Sequence, residues 1–285
     1  MASPDGMLNS MPEIQEFDRA QWFAQLRREY SDAANSEYLE QELKLFDERH
    51  RFSFYSDLNP MWLMDHNERA GIYMALHLSR PSVIIEIGAR FAGTTALFSQ
   101  VAEHVYVVDI DPGVRDRCKP LRNVTVMIGS SSDIIPDLID RLNAQHGGWD
   151  FALVDGDHTT TGVRNDLNAL IGCRPLRRAY VTMHDSFNPE CRKGILQAEW
   201  DRPWVHAVEV DFTIGNIMPQ PHVFGEMWGG IALAELSDVD REWPMCVTQT
   251  GHLSFKAAVR YQALLKRRRI PKRLASRIAR IFGTS

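Results

Sequence analysis

The sequence predicts a doubly wound α/β fold with a mostly parallel, seven-stranded sheet, and three observations predict it. From Ser82 onward, short apolar runs alternate with segments of helical spacing, the pattern of right-handed βαβ units. The first run, SVIIEIGARFAGTT from Ser82 to Thr95, passes through a glycine-containing turn into a helix. Four of the first five runs end at or beside a carboxylate: Glu86, Asp109, Asp155 and Asp185. Parallel strands align their C-terminal ends along one edge, so these acids are expected to face one crevice.

In chain order, residues 1–14 read as a loose leader containing Pro and Gly. Helical spacing follows in EFDRAQWFAQLRREY and in SEYLEQELKLFDERH, where Tyr38, Leu39, Leu43 and Phe46 share a face. A third helix, roughly Asn67 to Leu78, stops before Pro81. These helices precede the first core strand, so they are not crossovers. Residues 1–80 are expected to form a helical cap or the surface of a homo-oligomer. The core, residues 81–236, holds strands in SVIIEI, HVYVVDI, VTVMIG, WDFALVDG and RAYVTMHD, then in WVHAVEV and GGIALAEL. Residues 237–285 form a C-terminal extension. It ends in PKRLASRIARIF, where Leu274, Ile278 and Ile281 alternate with Arg273, Arg277 and Arg280 as on a basic amphipathic helix.

Composition narrows the function classes. At 285 residues, 44% hydrophobic and 24% charged, the chain can bury a substantial core. No apolar run approaches the roughly 20 residues of a membrane span, and the N-terminus shows neither a basic start nor an apolar signal region. Cys118, Cys173, Cys191 and Cys246 are scattered without zinc or disulfide spacing, which fits free thiols in a reducing cytoplasm. Between Arg260 and Ser285 there are nine Lys or Arg and no Asp or Glu, so the net −5 divides into +9 there and −14 elsewhere. An acidic body repels phosphate, so nucleic acid is not expected as a partner. A basic tail suits an anionic membrane surface, which gives a cytoplasmic protein with peripheral contact at the inner membrane face.

The strand ends carry the chemistry. Glu86 and Gly88 suit a nucleotide-like cofactor held against backbone, with Gly93 and Thr94 opening the following helix. The dinucleotide pattern G-x-G-x-x-G is absent: positions 88, 90 and 93 read Gly, Arg, Gly. An arginine in the middle position would obstruct a pyrophosphate, which argues against NAD or FAD. Asp109 lies about 20 residues beyond the turn, where a carboxylate accepts ribose hydroxyls. Asp155-Gly156-Asp157-His158 places two carboxylates and an imidazole within four residues, a poor choice for packing and a good one for a metal ion or a general base. His184-Asp185 adds ligands from the adjacent strand end.

The segments VIIEIGARFAGTT, VYVVDIDP, VTVMIGSSSDIIPDL, WDFALVDGDHTTTGVRNDL and YVTMHDS, in that order, resemble class I S-adenosylmethionine-dependent methyltransferases with a Rossmann-like fold. They are most similar to the metal-dependent O-methyltransferase branch, which includes catechol O-methyltransferase, macrolide and aminocoumarin sugar O-methyltransferases and cephalosporin-hydroxylase-like proteins. The resemblance implies that Glu86, Gly88, Ala89, Gly93 and Thr94 surround the methionine part of S-adenosyl-L-methionine, with Asp109 at the ribose. It implies Ser130 and Ser131 at the adenine, and Asp155 beside the cofactor. A divalent metal, Mg²⁺ or Mn²⁺, would take Asp155, His184 and Asp185, and Asp157 or His158 would be the catalytic base. Where relatives carry a Pro-Gly-Gly turn, this chain has Pro175-Leu176-Arg177-Arg178. His184 stands where relatives have an acid or amide, and imidazole favours Mn²⁺, Fe²⁺ or Zn²⁺ over Mg²⁺.

The expected activity is O-methylation of a sugar hydroxyl in a polysaccharide, glycolipid or glycosylated natural product. The alternatives are a phenolic or catechol acceptor, a metal-dependent hydroxylase-like enzyme, or a non-catalytic cofactor-binding module on the same fold.

Overall fold

In the computed structural model, residues 62–218 and 225–268 are described. The expected N-terminal leader, the first two expected helices and the basic segment Leu274–Ile281 lie outside them. The chain begins with α1 (His66–Ser79), opened by a reciprocal capping box between Asp65 and Glu68 and closed by Arg80 in the left-handed region before Pro81. Strands β1 (Val83–Ile87), β2 (His104–Asp109), β3 (Val124–Ile128), β4 (Phe151–Val154), β5 (Ala179–His184) and β6 (Val205–Thr213) follow. Between them run α2 (Gly93–Val101), α3 (Val114–Cys118), α4 (Ser131–His146), α5 (Thr160–Ile171) and α6 (Pro189–Leu196). A two-stranded hairpin, β7 (Asn216–Ile217) and β8 (Met227–Trp228), precedes β9 (Ile231–Leu236), β10 (Val247–Thr248) and α7 (His252–Arg268).

The main sheet has the order β10-β6-β9-β5-β4-β1-β2-β3. Every pairing is parallel except those of β9, which runs antiparallel to both β5 and β6. The seven expected strands are present, and the two-residue β10 beside β6 makes eight. Neither β10 nor α7 was expected: the first is too short for a periodicity, and the second leaves Leu253, Val259, Tyr261 and Leu264 exposed, so its apolar residues do not follow one buried face.

The period of two along β1 divides the core. Val83, Ile85 and Ile87 pack with Ile135, Leu138, Leu142, Leu167 and Leu170 of α4 and α5. Ile84 packs on the other face with Ile72, Ala75, Leu76, Leu97 and Phe98 of α1 and α2, where Phe98 meets Phe151 edge-on. Three layers result, with helices on both faces, as a parallel sheet requires. The earliest described helix, α1, lies against β5, β6 and β9 rather than against its neighbour in sequence. Gly71 allows that approach, because a side chain there would strike Thr213. Among the described residues no helix is long and apolar enough to cross a membrane.

One buried ion pair ties the far side of the sheet together. Arg192 of α6 donates to both carboxylate oxygens of Asp211 on β6, at 2.6 and 2.9 Å, and to Gln249 at 3.0 Å. Its guanidinium lies over Phe255 of α7.

Candidate active site

The C-terminal ends of β1, β2, β4 and β5 meet at one edge, as the parallel order dictates. The glycine turn after β1 is shaped first by backbone packing. Gly88 has φ +83°, and a Cβ there would land on the Asp155 carbonyl and Gly156 Cα at the end of β4. Glycine is therefore required here by the neighbouring strand end, whatever ligand the turn holds. Arg90 and Ala92 also have positive φ, and the turn is stitched by Asp109. Its Oδ2 accepts from the amides of Ala89 (2.9 Å) and Arg90 (3.2 Å), and its Oδ1 from that of Asp111 (2.8 Å). Three backbone amides leave about one of its roughly four lone-pair positions for a ribose hydroxyl. The exposed Arg90 side chain lies over Phe91 instead of covering the turn. Helix α2 starts at Gly93 with no side-chain cap, and Thr94 is buried in its first turn.

Glu86 lies under this turn. The alternation along β1 sends it to the α2 face, where it accepts from Thr95 Oγ1 at 2.6 Å. Burial pushes its carboxyl up to about 8 against the opposing hydroxyl bond. Ser130 is the N-cap residue of α4 without a side-chain cap bond, and Ser131 Oγ donates to the buried Asp166. Asp166 was not anticipated.

The densest chemistry is at the ends of β4 and β5. His184 Nδ1 lies 3.1 Å from Asp155 Oδ1 and 3.3 Å from Asp185 Oδ2, while its Nε2 lies 2.6 Å from Glu68 Oε1. His158 Nε2 lies 3.0 Å from Asp185 Oδ2 and 3.6 Å from Asp155 Oδ1. Asp185 has φ +57°, and its second oxygen accepts from the Gly229 amide at 2.6 Å. Thus Asp155, His158, His184 and Asp185 come together. Asp157 is turned away: its oxygens accept from the amide and hydroxyl of Thr159, the N-cap of α5. His158 is half-exposed and meets the ring edge-on of Trp228 on the β7–β8 hairpin.

The charges hold one another. Burial works to raise the Asp185 carboxyl, but the charge of His184 and the bonds from both imidazoles leave it well below the usual range. At Asp155 burial likewise opposes, and the charge of His184 together with the bonds from His158 and His184 outweighs it. Hydrogen bonds to Asp155 and Asp185 push His158 up to about 9. At His184 burial is outweighed by Asp155, Asp185 and Glu68, so that ring is also raised. Glu68, in contrast, is raised by its own burial. Glu68 escaped sequence reasoning: Asp65-x-x-Glu68 is legible as a capping box, but the approach to His184 follows from how α1 packs.

Comparison with known proteins gives the family likeness. Residues 72–209 match the model of the family described as rhamnosyl O-methyltransferase/CmcI. The rhamnosyl O-methyltransferase of Mycobacterium leprae is 30% identical over 115 residues, covering 37% of this chain and 49% of that protein. That of Mycobacterium tuberculosis (strain ATCC 25618 / H37Rv) is 30% identical over 117 residues, covering 38% and 46%. The chain resembles the O-methyltransferase branch of the class I S-adenosylmethionine-dependent methyltransferases. It spans about half the length of the curated relatives it matches. Among solved structures, the O-methyltransferase from Bacillus cereus in complex with SAH aligns over 76% of this chain and 99% of its own, at 14% identity and a TM-score of 0.43. The N-methyltransferase NodS from Bradyrhizobium japonicum WM9, also with S-adenosyl-L-homocysteine, aligns over 70% and 96%, at 12% identity and 0.43.

The residues present fit what that branch implies. The uncapped α2 amides and the remaining position on Asp109 suit a polar, ribose-bearing ligand. For a metal, two sets of three ligand atoms lie within 4.8 Å of one another: Glu68, His184 and Asp185, and Asp155, His158 and Asp185. Both mix nitrogen with carboxylate oxygen.

Proposed function

We propose that this protein is an S-adenosylmethionine-dependent O-methyltransferase that methylates a sugar hydroxyl with the help of a divalent metal. One observation carries the reading: the edge that holds an uncapped glycine turn also holds Asp155, His184 and Asp185 at the ends of the next two strands. The family description and the names of the mycobacterial relatives support a sugar as acceptor. When bound, the cofactor supplies an electrophilic sulfonium methyl, and the metal supplies positive charge beside the acceptor oxygen.

The chain supplies position and proton transfer. The Gly88 turn and the α2 amides would hold the cofactor, with Asp109 at its ribose. Asp155, His184 and Asp185 would hold the ion beside the acceptor hydroxyl. His158 takes the hydroxyl proton, because its ring is half-exposed at the mouth of the site while Asp157 is committed to Thr159. A cation held by Asp155 and Asp185 would compensate their charge and so weaken the bonds that keep His158 protonated. Proton transfer of this kind contributes about 10²–10⁴-fold, and alignment of the reacting groups contributes roughly 7–11 kcal/mol.

The test is calorimetric titration with S-adenosyl-L-homocysteine, followed by methylation assays on a rhamnosyl glycolipid with and without EDTA. Binding and an EDTA-sensitive methylated sugar are expected. No binding of the cofactor product would overturn the reading, whereas full activity in EDTA would remove the metal from it.

A further inference from the structure

We propose that the outer face of α7 is a docking surface for an anionic lipid bilayer. The docking stands apart from the function proposed above; only its value for a lipid-borne sugar rests on that reading.

The inner face of α7 is committed to the fold. Phe255 and Ala258 pack with Phe187 and Met227, and Phe187 meets Phe255 edge-on. At roughly 100° per residue, the pole opposite those two positions belongs to Leu253, Arg260 and Leu264. A surface helix carries charged and polar residues at that pole. Here Leu253 is 81% exposed and Leu264 54%, with Tyr261 at 50% beside them. Together with the exposed Ala257 they stand at i, i+4, i+8 and i+11, an apolar stripe about 80° wide that faces water. The helix therefore has a second apolar face, and nothing among the described residues covers it.

Charge selects the occupant. Lys256 and Arg260, both exposed, border the stripe on one side. Residues 252–268 hold five Lys or Arg and no Asp or Glu. A second copy of the chain would set these cations against their own equivalents, with no acid on either helix to pair them. Nucleic acid would meet the cations but gain nothing from exposed leucines. A bilayer containing anionic lipid satisfies both groups: Leu253 and Leu264 enter the acyl boundary, Tyr261 takes the headgroup level, and Lys256 and Arg260 reach phosphate. The acidic remainder of the chain, at −14 outside residues 260–285, is repelled by the same surface and so confines contact to this part. From sequence alone such a contact falls on Leu274–Ile281; α7 supplies it within the described fold.

The site stands directly behind this helix. Phe187 comes two residues after Asp185, and Met227 precedes Trp228, whose ring meets His158. Docking through α7 would thus bring that wall of the site within about one helix diameter, ~10 Å, of the bilayer.

The experiment is co-sedimentation of the full chain with vesicles of phosphatidylcholine alone, and of phosphatidylcholine mixed equally with phosphatidylglycerol. Binding to the anionic vesicles only, weakened by salt, is expected. Leu253→Ser with Leu264→Ser should weaken it about 10–100-fold, and Lys256→Gln with Arg260→Gln about 30-fold. All four side chains are exposed, so neither pair should disturb the fold, which circular dichroism checks. No binding to anionic vesicles, equal binding to neutral ones, or unchanged binding in either variant would overturn the proposal. So would self-association of the full chain that Leu253→Ser with Leu264→Ser abolishes, which would give the face to a second copy. Sedimentation with RNA in place of vesicles would give the cations to nucleic acid and overturn it as well. Vesicle binding needs no methyl transfer, so failure of the S-adenosyl-L-homocysteine titration overturns the function above and leaves this surface standing.

Discussion

Two buried charged groups flank the start of α6, and they are built on different principles. Within its first half, Arg192 meets Asp211 as one cation and one anion, each 2–3% exposed, in a two-pronged bond with Gln249, the Gly251 amide and Phe255 completing the surroundings. Just before its N-terminus, Asp185 belongs to a group with three carboxylates and two imidazoles, in which Glu68 and His184 approach closely without alignment. The first group is balanced in charge and satisfied in hydrogen bonds. The second has an excess of acid and faces solvent through His158. Burial of charge alone therefore does not mark a functional site; unbalanced and incompletely paired charge at a strand edge is the better sign.

The largest expected effect breaks the balanced pair. Arg192→Met leaves Asp211 buried and uncompensated, which should cost about 3–5 kcal/mol in urea unfolding. A loss below 1 kcal/mol would mean that the pair is not the tie it looks like. His158→Ala should do the opposite. Its ring is half-exposed, so stability should stay within about 0.5–1 kcal/mol of wild type, while the methyl-transfer rate falls about 10²–10⁴-fold. A rate unchanged by that substitution would exclude His158 as the base.

The third expectation concerns pH, and its sign follows from two raised groups near the site. His158 is raised to about 9 in the folded protein, so its stabilising contribution is complete below its ordinary value of 6.5 and is lost as pH rises towards 9. Glu86 gives a slope of the same sign for a different reason. Its carboxyl is raised from 4.5 to about 8 by burial, so the unfolded chain releases a proton first and the fold weakens across that range. The slope is about 1.4 kcal/mol per pH unit. Urea midpoints measured from pH 5 to 9 should therefore fall in the wild type. Glu86→Gln should flatten the part between 5 and 8, and His158→Ala the part between 6.5 and 9. A wild-type midpoint independent of pH would contradict both assignments.

Much of the architecture was legible because it follows from short-range pattern. Alternating apolar runs and helical segments specify parallel strands with crossovers, and their hand brings the strand ends to one edge whatever the side chains are. Asp155, His184 and Asp185 could thus be placed together from the sequence. The segment after β9 was not legible, since β10 has two residues and is defined only by its neighbour β6.

What the sequence by itself determined, then, is the edge and the acids that line it. The tertiary structure decided which partners those acids take. Gly88 answers to the backbone of β4, Asp109 spends three bonds on its own turn, and Asp157 yields to His158 through a turn two residues long. Glu68 joins the site from a helix more than 80 residues before Asp155, one that packs on β5, β6 and β9. The reason is physical. Strand direction is set by many backbone hydrogen bonds acting together, whereas each side-chain pairing is worth about 1 kcal/mol and depends on which surfaces pack.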